Sequence, residues 1–590
     1  MTPFPRSLTA GAAILWFAGC AAAAPVPSQA PTPTATGGVY VDGAGQRHPW
    51  SVDANHTLHR EGRPFVPVGG MFCFRYLSEF DPATPADNEA RWREDLGVLD
   101  KLRRAGLRDL YVNPVNPATR YPVEAWNRCL EELERRGFRY GIELTDGPRQ
   151  GMDGFLLASD SWRATRKGSR ATMLWKDEFG QRPRLQSVLA ISPRGQAAVL
   201  PLEPGGTAIL SPAWTATPGV RLLARIQAPT GFNVPDLWGG HREYEARLGS
   251  LLARMTRGPG LYLVVDPLTN EMNYYTYTAQ MVPASPVFRQ GFETWLRRRY
   301  EGNLKALARA WGARAGAPFP KDWDVCARLL PVPVDEGKGV AARKAQLLDP
   351  AGLRCWAIDP ARSRLLEDLR AYRDESVGEY CRRITEVVRK NLGDLPVVFK
   401  HTGRFMRYLL GHGVGAGVDG IGMEVWGKNR LDMAQTAGPP LSLIRHWDRP
   451  GWLLVTESAP NSLPEGKPPG YPSRQAMFEH LDSLASYGAR GFYLFALRPL
   501  PEQLLPDFCL HRDERQLRWL AEWASELERE GPRKEALTRI PRVRFERAER
   551  GPGLRLEGWE KGRGDARFSE LSGSTVVVPS FGNPSVDLYK

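Results

Sequence analysis

From Trp50 onward the chain repeats one unit, a short apolar run followed by a segment of helical period, and that repetition narrows the possible folds more than any other feature. The first run, 65–70 (FVPVGG), precedes a helix expected over 88–105, which sets Trp92, Leu96, Leu99 and Leu102 three or four residues apart on one face. A second run at 109–113 (DLYVN) leads to a helix over 123–136 with Trp126, Cys129, Leu130 and Leu133 aligned, and a third run covers 138–144. A helix between two strands carries the chain back to its starting end, so such strands pair in parallel.

The alternation pauses between about 154 and 229. Runs such as 187–191 (SVLAI), 197–200 (AAVL) and 221–226 (RLLARI) lack helical period and are separated by turn signals at Pro204-Gly205-Gly206 and Pro218-Gly219, which predicts a small β insertion after the third strand. Helix resumes over 242–256, and further strands are expected at 260–266, 395–400, 418–423, 452–456 and 491–495. Eight parallel strands alternating with helix predict the α/β class, a (β/α)8 TIM barrel, with a doubly wound open sheet as the alternative. The barrel domain is expected over 50–530, and 531–590, with short runs at 543–545 and 574–578, reads as a C-terminal β-like appendage.

Of the 590 residues, 42% are hydrophobic and 25% charged, the proportions of folded soluble proteins. The net charge of +13 is spread along the chain, with acids beside bases as in Arg91-Trp92-Arg93-Glu94-Asp95. Neither zinc-finger spacing nor an aromatic RNP-like run accompanies it, so nucleic acid is not expected as a partner.

Arg6 precedes an apolar stretch over 8–17 that is too short to span a bilayer and suits an export signal. Its end, Phe17-Ala18-Gly19-Cys20, resembles a bacterial lipobox, in which the cysteine is lipidated and becomes the mature N-terminus; ordinary cleavage near 21–24 is the competing reading. Residues 1–24 are thus read as signal and 25–49, which open on a proline, threonine and alanine run, as a tether. The body is expected outside the cytoplasm, either anchored to a membrane through Cys20 or secreted. None of the cysteines after Cys20 forms a CxxC pair, so no metal is expected, and no cofactor either. A Cys326–Cys355 disulfide is left open, with isolated buried thiols the plainer account.

In a barrel, residues at the carboxyl ends of the strands carry function. Two stretches stand out, Asp266-Pro267-Leu268-Thr269-Asn270-Glu271-Met272-Asn273 after the fourth strand and Thr456-Glu457-Ser458-Ala459-Pro460-Asn461 after the seventh. Glycoside hydrolysis needs two facing carboxyl groups, one protonating the leaving oxygen while the other attacks or activates water, and this makes Glu271 and Glu457 the candidate catalytic pair. A second Asn-Glu, Asn88-Glu89, opens the first helix, where capping by Asp87 or Asn88 and the helix dipole account for it. Asn270-Glu271 instead follows an apolar run and precedes Tyr274, Tyr275 and Tyr277. For Glu457 the plain alternative is a loop glutamate paired with an arginine. Asn113 can bind a sugar hydroxyl or cap the turn before Pro114, and Trp426 can stack on a sugar ring or fill core. Arg75, Tyr76, His401 and Glu424 also lie near expected strand ends.

These residues, together with the run Phe288-Arg289-Gln290-Gly291-Phe292-Glu293-Thr294-Trp295-Leu296-Arg297-Arg298-Arg299-Tyr300, then Leu304, Leu307 and Trp311-Gly312, resemble clan A glycoside hydrolases, and among them the β-galactosidase-like glycoside hydrolase family 42. The stretch Gly488-Ala489-Arg490-Gly491-Phe492-Tyr493-Leu494-Phe495-Ala496-Leu497-Arg498 is similar to that family's eighth strand. The resemblance covers about 63–498. It implies a retaining hydrolase of β-linked O-glycosides acting on oligo- or polysaccharide, with Glu271 as general acid/base, Glu457 as nucleophile and Asn270 bonding the sugar 2-hydroxyl. The alternative from a different class is a catalytically inactive carbohydrate-binding envelope lipoprotein on the same barrel.

Overall fold

The structure is a computed structural model, and it describes residues 36–157, 162–164, 169–173, 182–228, 236–268, 281–334, 344–401, 417–427, 444, 447, 449–460, 470–486, 488–503, 505, 508–530, 543–545 and 568–570. Eight strands form its centre: β1 (Val68–Phe72), β2 (Asp109–Val112), β3 (Arg139–Glu143), β4 (Leu261–Val265), β5 (Val397–His401), β6 (Gly420–Gly427), β7 (Trp452–Pro460) and β8 (Phe492–Arg498). Each pairs in parallel with the next in chain order, and β8 pairs with β1, so the sheet closes. Closure excludes the doubly wound alternative, which would leave two free edges. The fold is a (β/α)8 barrel.

Around it lie α1 (Pro85–Arg104), α2 (Val123–Arg135), α3 (Leu237–Leu252), α4 (Pro286–Arg299), α5 (Leu365–Asn391), α6 (Arg474–Ser486) and α7 (Glu514–Glu530). Two of these begin earlier than periodicity predicts. Pro85 occupies the first turn of α1, where its missing N–H is no loss. Asn88 therefore sits inside the helix rather than capping it, its Nδ2 donating to Asp81 O at 2.7 Å, while Glu89 forks onto Arg128 at 2.5 and 3.0 Å. At α3 the Asp236 carboxylate accepts from Trp238 N and Gly239 N at 3.2 and 2.9 Å. That cap, together with burial of Leu237 and Trp238, overrides the poor helix propensity of Gly239-Gly240.

The amino-terminal residues require a larger correction. Within the stretch 25–49 expected as tether, Gly37–Val41 pairs antiparallel with Arg47–Val52, and the sheet continues through Leu58–Arg60 and Arg63–Pro64. Alternate residues His48, Trp50 and Val52 are buried, the pattern of a half-covered strand. Trp50, Val52 and Leu58 pack with Tyr262, Val398, Trp452 and Leu454 in one apolar cluster, and Trp50 Nε1 donates to Asp394 O at 2.7 Å. This sheet closes the end of the barrel where the strands begin. Residues 1–35, with the signal and Cys20, lie outside the described residues.

The β insertion after β3 is present as two sheets. One is ordered Ala197–Leu200, Arg184–Ile191, Arg221–Gln227, Asp153–Leu156, Met281–Pro283, and the other Leu202–Glu203, Thr207–Ile209, Arg170–Met173, Trp162–Ala164. Between α4 and α5 stands a third sheet of Leu330–Pro333, Ala345–Asp349 and Arg354–Ile358, joined to the insertion by Gln346 Nε2 donating to Pro193 O at 2.7 Å. Val543–Phe545 pairs antiparallel with Phe568–Glu570 in the C-terminal appendage. Cys326 and Cys355 are separate thiols, as are Cys73, Cys129, Cys381 and Cys509. Among the described residues no helix is long and apolar enough to cross a membrane.

Candidate active site

Alternation along the strands decides which side chains line the barrel interior. Val397 and Phe399 join the core beneath the helices whereas Val398 joins the interior cluster, so Lys400 continues the interior phase and His401 the outer one. In the same way Gly141 and Glu143 of β3 face inward while Tyr140 and Ile142 pack outside, and Glu424 of β6 faces inward between Met423 and Val425. Glu143 of β3, Lys400 of β5 and Glu424 of β6 are thus charged side chains at inward positions. Glu143 and Lys400 stand at the carboxyl ends of their strands, and Glu424 lies in the carboxyl half of β6.

Glu457 reaches the same layer through an irregularity. In β7, Trp452 and Leu454 face inward and Leu453 and Val455 outward, so strict alternation would turn position 457 out. The register shifts between Met423 and Glu424: Met423 opposes Val455, but Glu424 opposes Glu457, leaving Thr456 as the extra residue of a β-bulge. The bulge turns Glu457 inward. Thr456 is fully buried, its hydroxyl donating to Met423 O at 3.1 Å, and its methyl would stand 2.7 Å from a Cβ at Gly422. Glycine at 422 thus makes room for the bulge.

The side chains meet around one ammonium. Lys400 Nζ is 2.7 Å from Glu457 Oε1, 2.8 Å from Glu143 Oε1 and 3.8 Å from Glu424 Oε1. Tyr111 OH of β2 donates to the same Glu457 Oε1 at 3.3 Å. Asn113, just past β2, donates from Nδ2 to Glu143 Oε2 at 2.8 Å and accepts at Oδ1 from Val115 N at 2.6 Å. The backbone N–H of Lys400 donates to Asp266 Oδ1 at 2.6 Å. Glu457 Oε2 receives no hydrogen bond from the described residues.

Three carboxyl groups and one ammonium cannot all be charged at no cost in a dry site. Burial and the neighbouring Glu457 push Glu143 above the usual carboxylate range against the pull of Lys400. For Lys400, burial favours loss of the proton, but the Glu143 and Glu457 carboxylates outweigh it and hold the ammonium well above its ordinary value. Burial, then Glu457, raise the Tyr111 phenol, so it stays a proton donor.

Of the residues expected from sequence, Glu457, Asn113 and Glu424 lie in this mouth. Asn270 and Glu271 fall in 269–280, outside the described residues; the chain leaves β4 at Asp266-Pro267-Leu268 and returns at Met281. Trp426 stands on β6 opposite Ala459. Arg75 and Tyr76 belong elsewhere: Arg75 pairs with Glu79 and Glu94, and Tyr76 packs edge-on against Trp92 beneath α1. His401 is buried, which lowers it to about 3 and keeps it neutral. Glu143, Lys400 and Tyr111 were not anticipated, because they stand inside the strands and not after them. A charge in phase with Val398 was the available signal for Lys400.

The fold and this mouth define a (β/α)8-barrel protein with a polar, carboxylate-rich centre at the carboxyl ends of its strands. No family model matches the chain, and no curated protein matches it. Among solved structures the chain is similar to the β-galactosidase from Bacillus circulans sp. alkalophilus, at 16% identity over 79% of this chain and 56% of that one, with a TM-score of 0.44. It is similar to the β-galactosidase from the psychrophilic Marinomonas ef1 at 14% identity, over 81% and 62%, with a TM-score of 0.44. An exo-β-1,4-mannosidase from Opitutaceae bacterium strain TAV5 is similar at 13% identity, over 81% and 63%, with a TM-score of 0.38. The chain thus spans less than two thirds of the length of each.

Proposed function

We propose that the protein is an exported glycoside hydrolase that cleaves β-linked glycans with retention, Glu457 attacking the anomeric carbon and Glu271 first protonating the leaving oxygen and then activating water. The observation that carries this reading is Glu457 itself, turned into the barrel mouth by the Thr456 bulge, with two donors on Oε1 and none from the described residues on Oε2. Such an arrangement suits a nucleophile: one oxygen is held, the other is left to form the glycosyl bond. Asn270 is assigned to the sugar 2-hydroxyl and Trp426 to stacking on a sugar ring. Asn113 acts through Glu143. The β-galactosidases and the mannosidase to which the chain is similar agree with a β-glycoside substrate.

A panel of 2-deoxy-2-fluoro-β-glycosides with dinitrophenyl leaving groups tests the assignment, since the fluorine slows hydrolysis of the intermediate. Peptide mapping should find the sugar on Glu457. Glu271→Ala should lose on the order of 10²–10⁴ in rate on substrates with poor leaving groups and recover in part with azide on activated ones. Turnover with label on another carboxylate would overturn the roles; sugar affinity with neither label nor turnover across the panel would leave a binding protein. Anchoring is proposed through Cys20, on Arg6, the apolar stretch 8–17 and the lipobox-like end. Mass spectrometry of the protein from its native membrane should find diacylglyceryl on an N-terminal Cys20, whereas an unmodified N-terminus near 24–25 would mean simple secretion.

A further inference from the structure

We propose that Lys400 is a positioning residue for the nucleophile: its ammonium, shared between Glu457 Oε1 at 2.7 Å and Glu143 Oε1 at 2.8 Å, fixes the Glu457 carboxylate and offsets its negative charge. The proposal rests on the hydrolase reading above and adds to it a residue which that reading does not require. The contacts form a closed circuit across the mouth: from Asn113 of the β2 end to Glu143 of β3, to Lys400 of β5, to Glu457 of β7, and back to β2 through Tyr111. Lys400 is the one cation in that circuit. Its own backbone is pinned to the end of β4 by Asp266.

The groups that act on Glu457 are Cys73 just past β1, Tyr111 of β2, Glu143 of β3, Lys400 of β5 and its cross-strand partner Glu424 of β6. Two of these groups are further carboxyls, the burial-raised Cys73 thiol carries no charge, and Lys400 is the positive charge among them. Without the ammonium, a carboxylate beside two others in a buried site takes up a proton, and a protonated nucleophile does not attack.

The test uses the full-length protein with an activated aryl glycoside from the panel and reads kcat/KM against pH. Lys400→Met should move the acid limb upward by at least one pH unit and slow fluoroglycoside labelling of Glu457 at least 10-fold at pH 6, and Lys400→Arg should restore part of the limb. Glu143→Gln removes one anion and leaves the ammonium to Glu457, so its acid limb should move downward; this variant decides the matter if Lys400→Met does not fold. Acid limbs unmoved in the folded variants, with wild-type Glu457 still labelled, would overturn the role of Lys400 alone. A wild-type protein that no probe labels would overturn the hydrolase reading and this role with it.

Discussion

Gly422→Ala and Gly97→Ala are the same chemical change with opposite expected signs. At Gly422 an added Cβ would stand 2.7 Å from Thr456 Cγ2, 3.2 Å from Val398 Cγ1 and 3.3 Å from Lys400 Cα. None of these can yield cheaply. Thr456 is fully buried and bonded to Met423 O, Val398 is packed in the barrel interior, and the third atom is backbone. Overpacking of this kind costs about 1–3 kcal/mol, and the stiffer unfolded chain returns about 0.4–1 kcal/mol, so a net loss of about 1–2 kcal/mol is expected. At Gly97, on the exposed side of α1, a Cβ meets nothing within 4 Å, and alanine should gain up to about 1 kcal/mol through helix propensity. Urea unfolding of both variants beside the parent reads the midpoints at a common slope. Because Thr456 is the bulged residue beside Glu457, Gly422→Ala should also slow turnover by about 10²-fold if the carboxylate moves by about 1 Å, while Gly97→Ala should not. Equal shifts of the same sign would refute the packing argument.

His480 donates to or accepts from Ser458 Oγ at 2.8 Å, and burial lowers it to about 4 from an ordinary value near 6.5. A depressed folded value means stability is present above pH 6.5 and is lost as the pH falls toward 4, by up to about 3 kcal/mol; a His480→Gln variant should show a shallower loss over that window, and an unchanged slope would dismiss the effect. Trp50→Ala should cost about 3–5 kcal/mol, because the ring lies in the barrel interior cluster and its Nε1 is bonded to Asp394 O. A loss below about 1 kcal/mol in urea titration would mean the amino-terminal sheet is only loosely seated.

All eight barrel strands were legible as apolar runs, since strands buried on both faces leave little room for polar residues. Their ends were less so: β7 runs on to Pro460 and β8 to Arg498 because pairing with neighbours, which local sequence does not record, sustains them. Glu457 was legible as an acid at a strand end, but its inward orientation depends on the bulge at Thr456, invisible to a period-two reading. Glu143 and Lys400 were hidden by their position within apolar runs, where a charge reads as a strand boundary. The sheet from Gly37 was hidden because its partners on the barrel lie hundreds of residues away: Trp50 meets Asp394, and Thr36 bonds Pro450.

Met281–Pro283 is an edge strand of the insertion, paired with Asp153–Leu156, although β4 and the whole of α3 separate the two in sequence. The insertion is therefore woven through the barrel and is not a cassette spliced into one loop. Excising 154–229 would strip the strand at 281–283 of its pairing and release the far end of the segment that carries Asn270 and Glu271. Chimeras that exchange this region between barrels must move 153–156 and 281–283 as one piece, and a library that varies the insertion alone will also vary the partner against which 281–283 is paired.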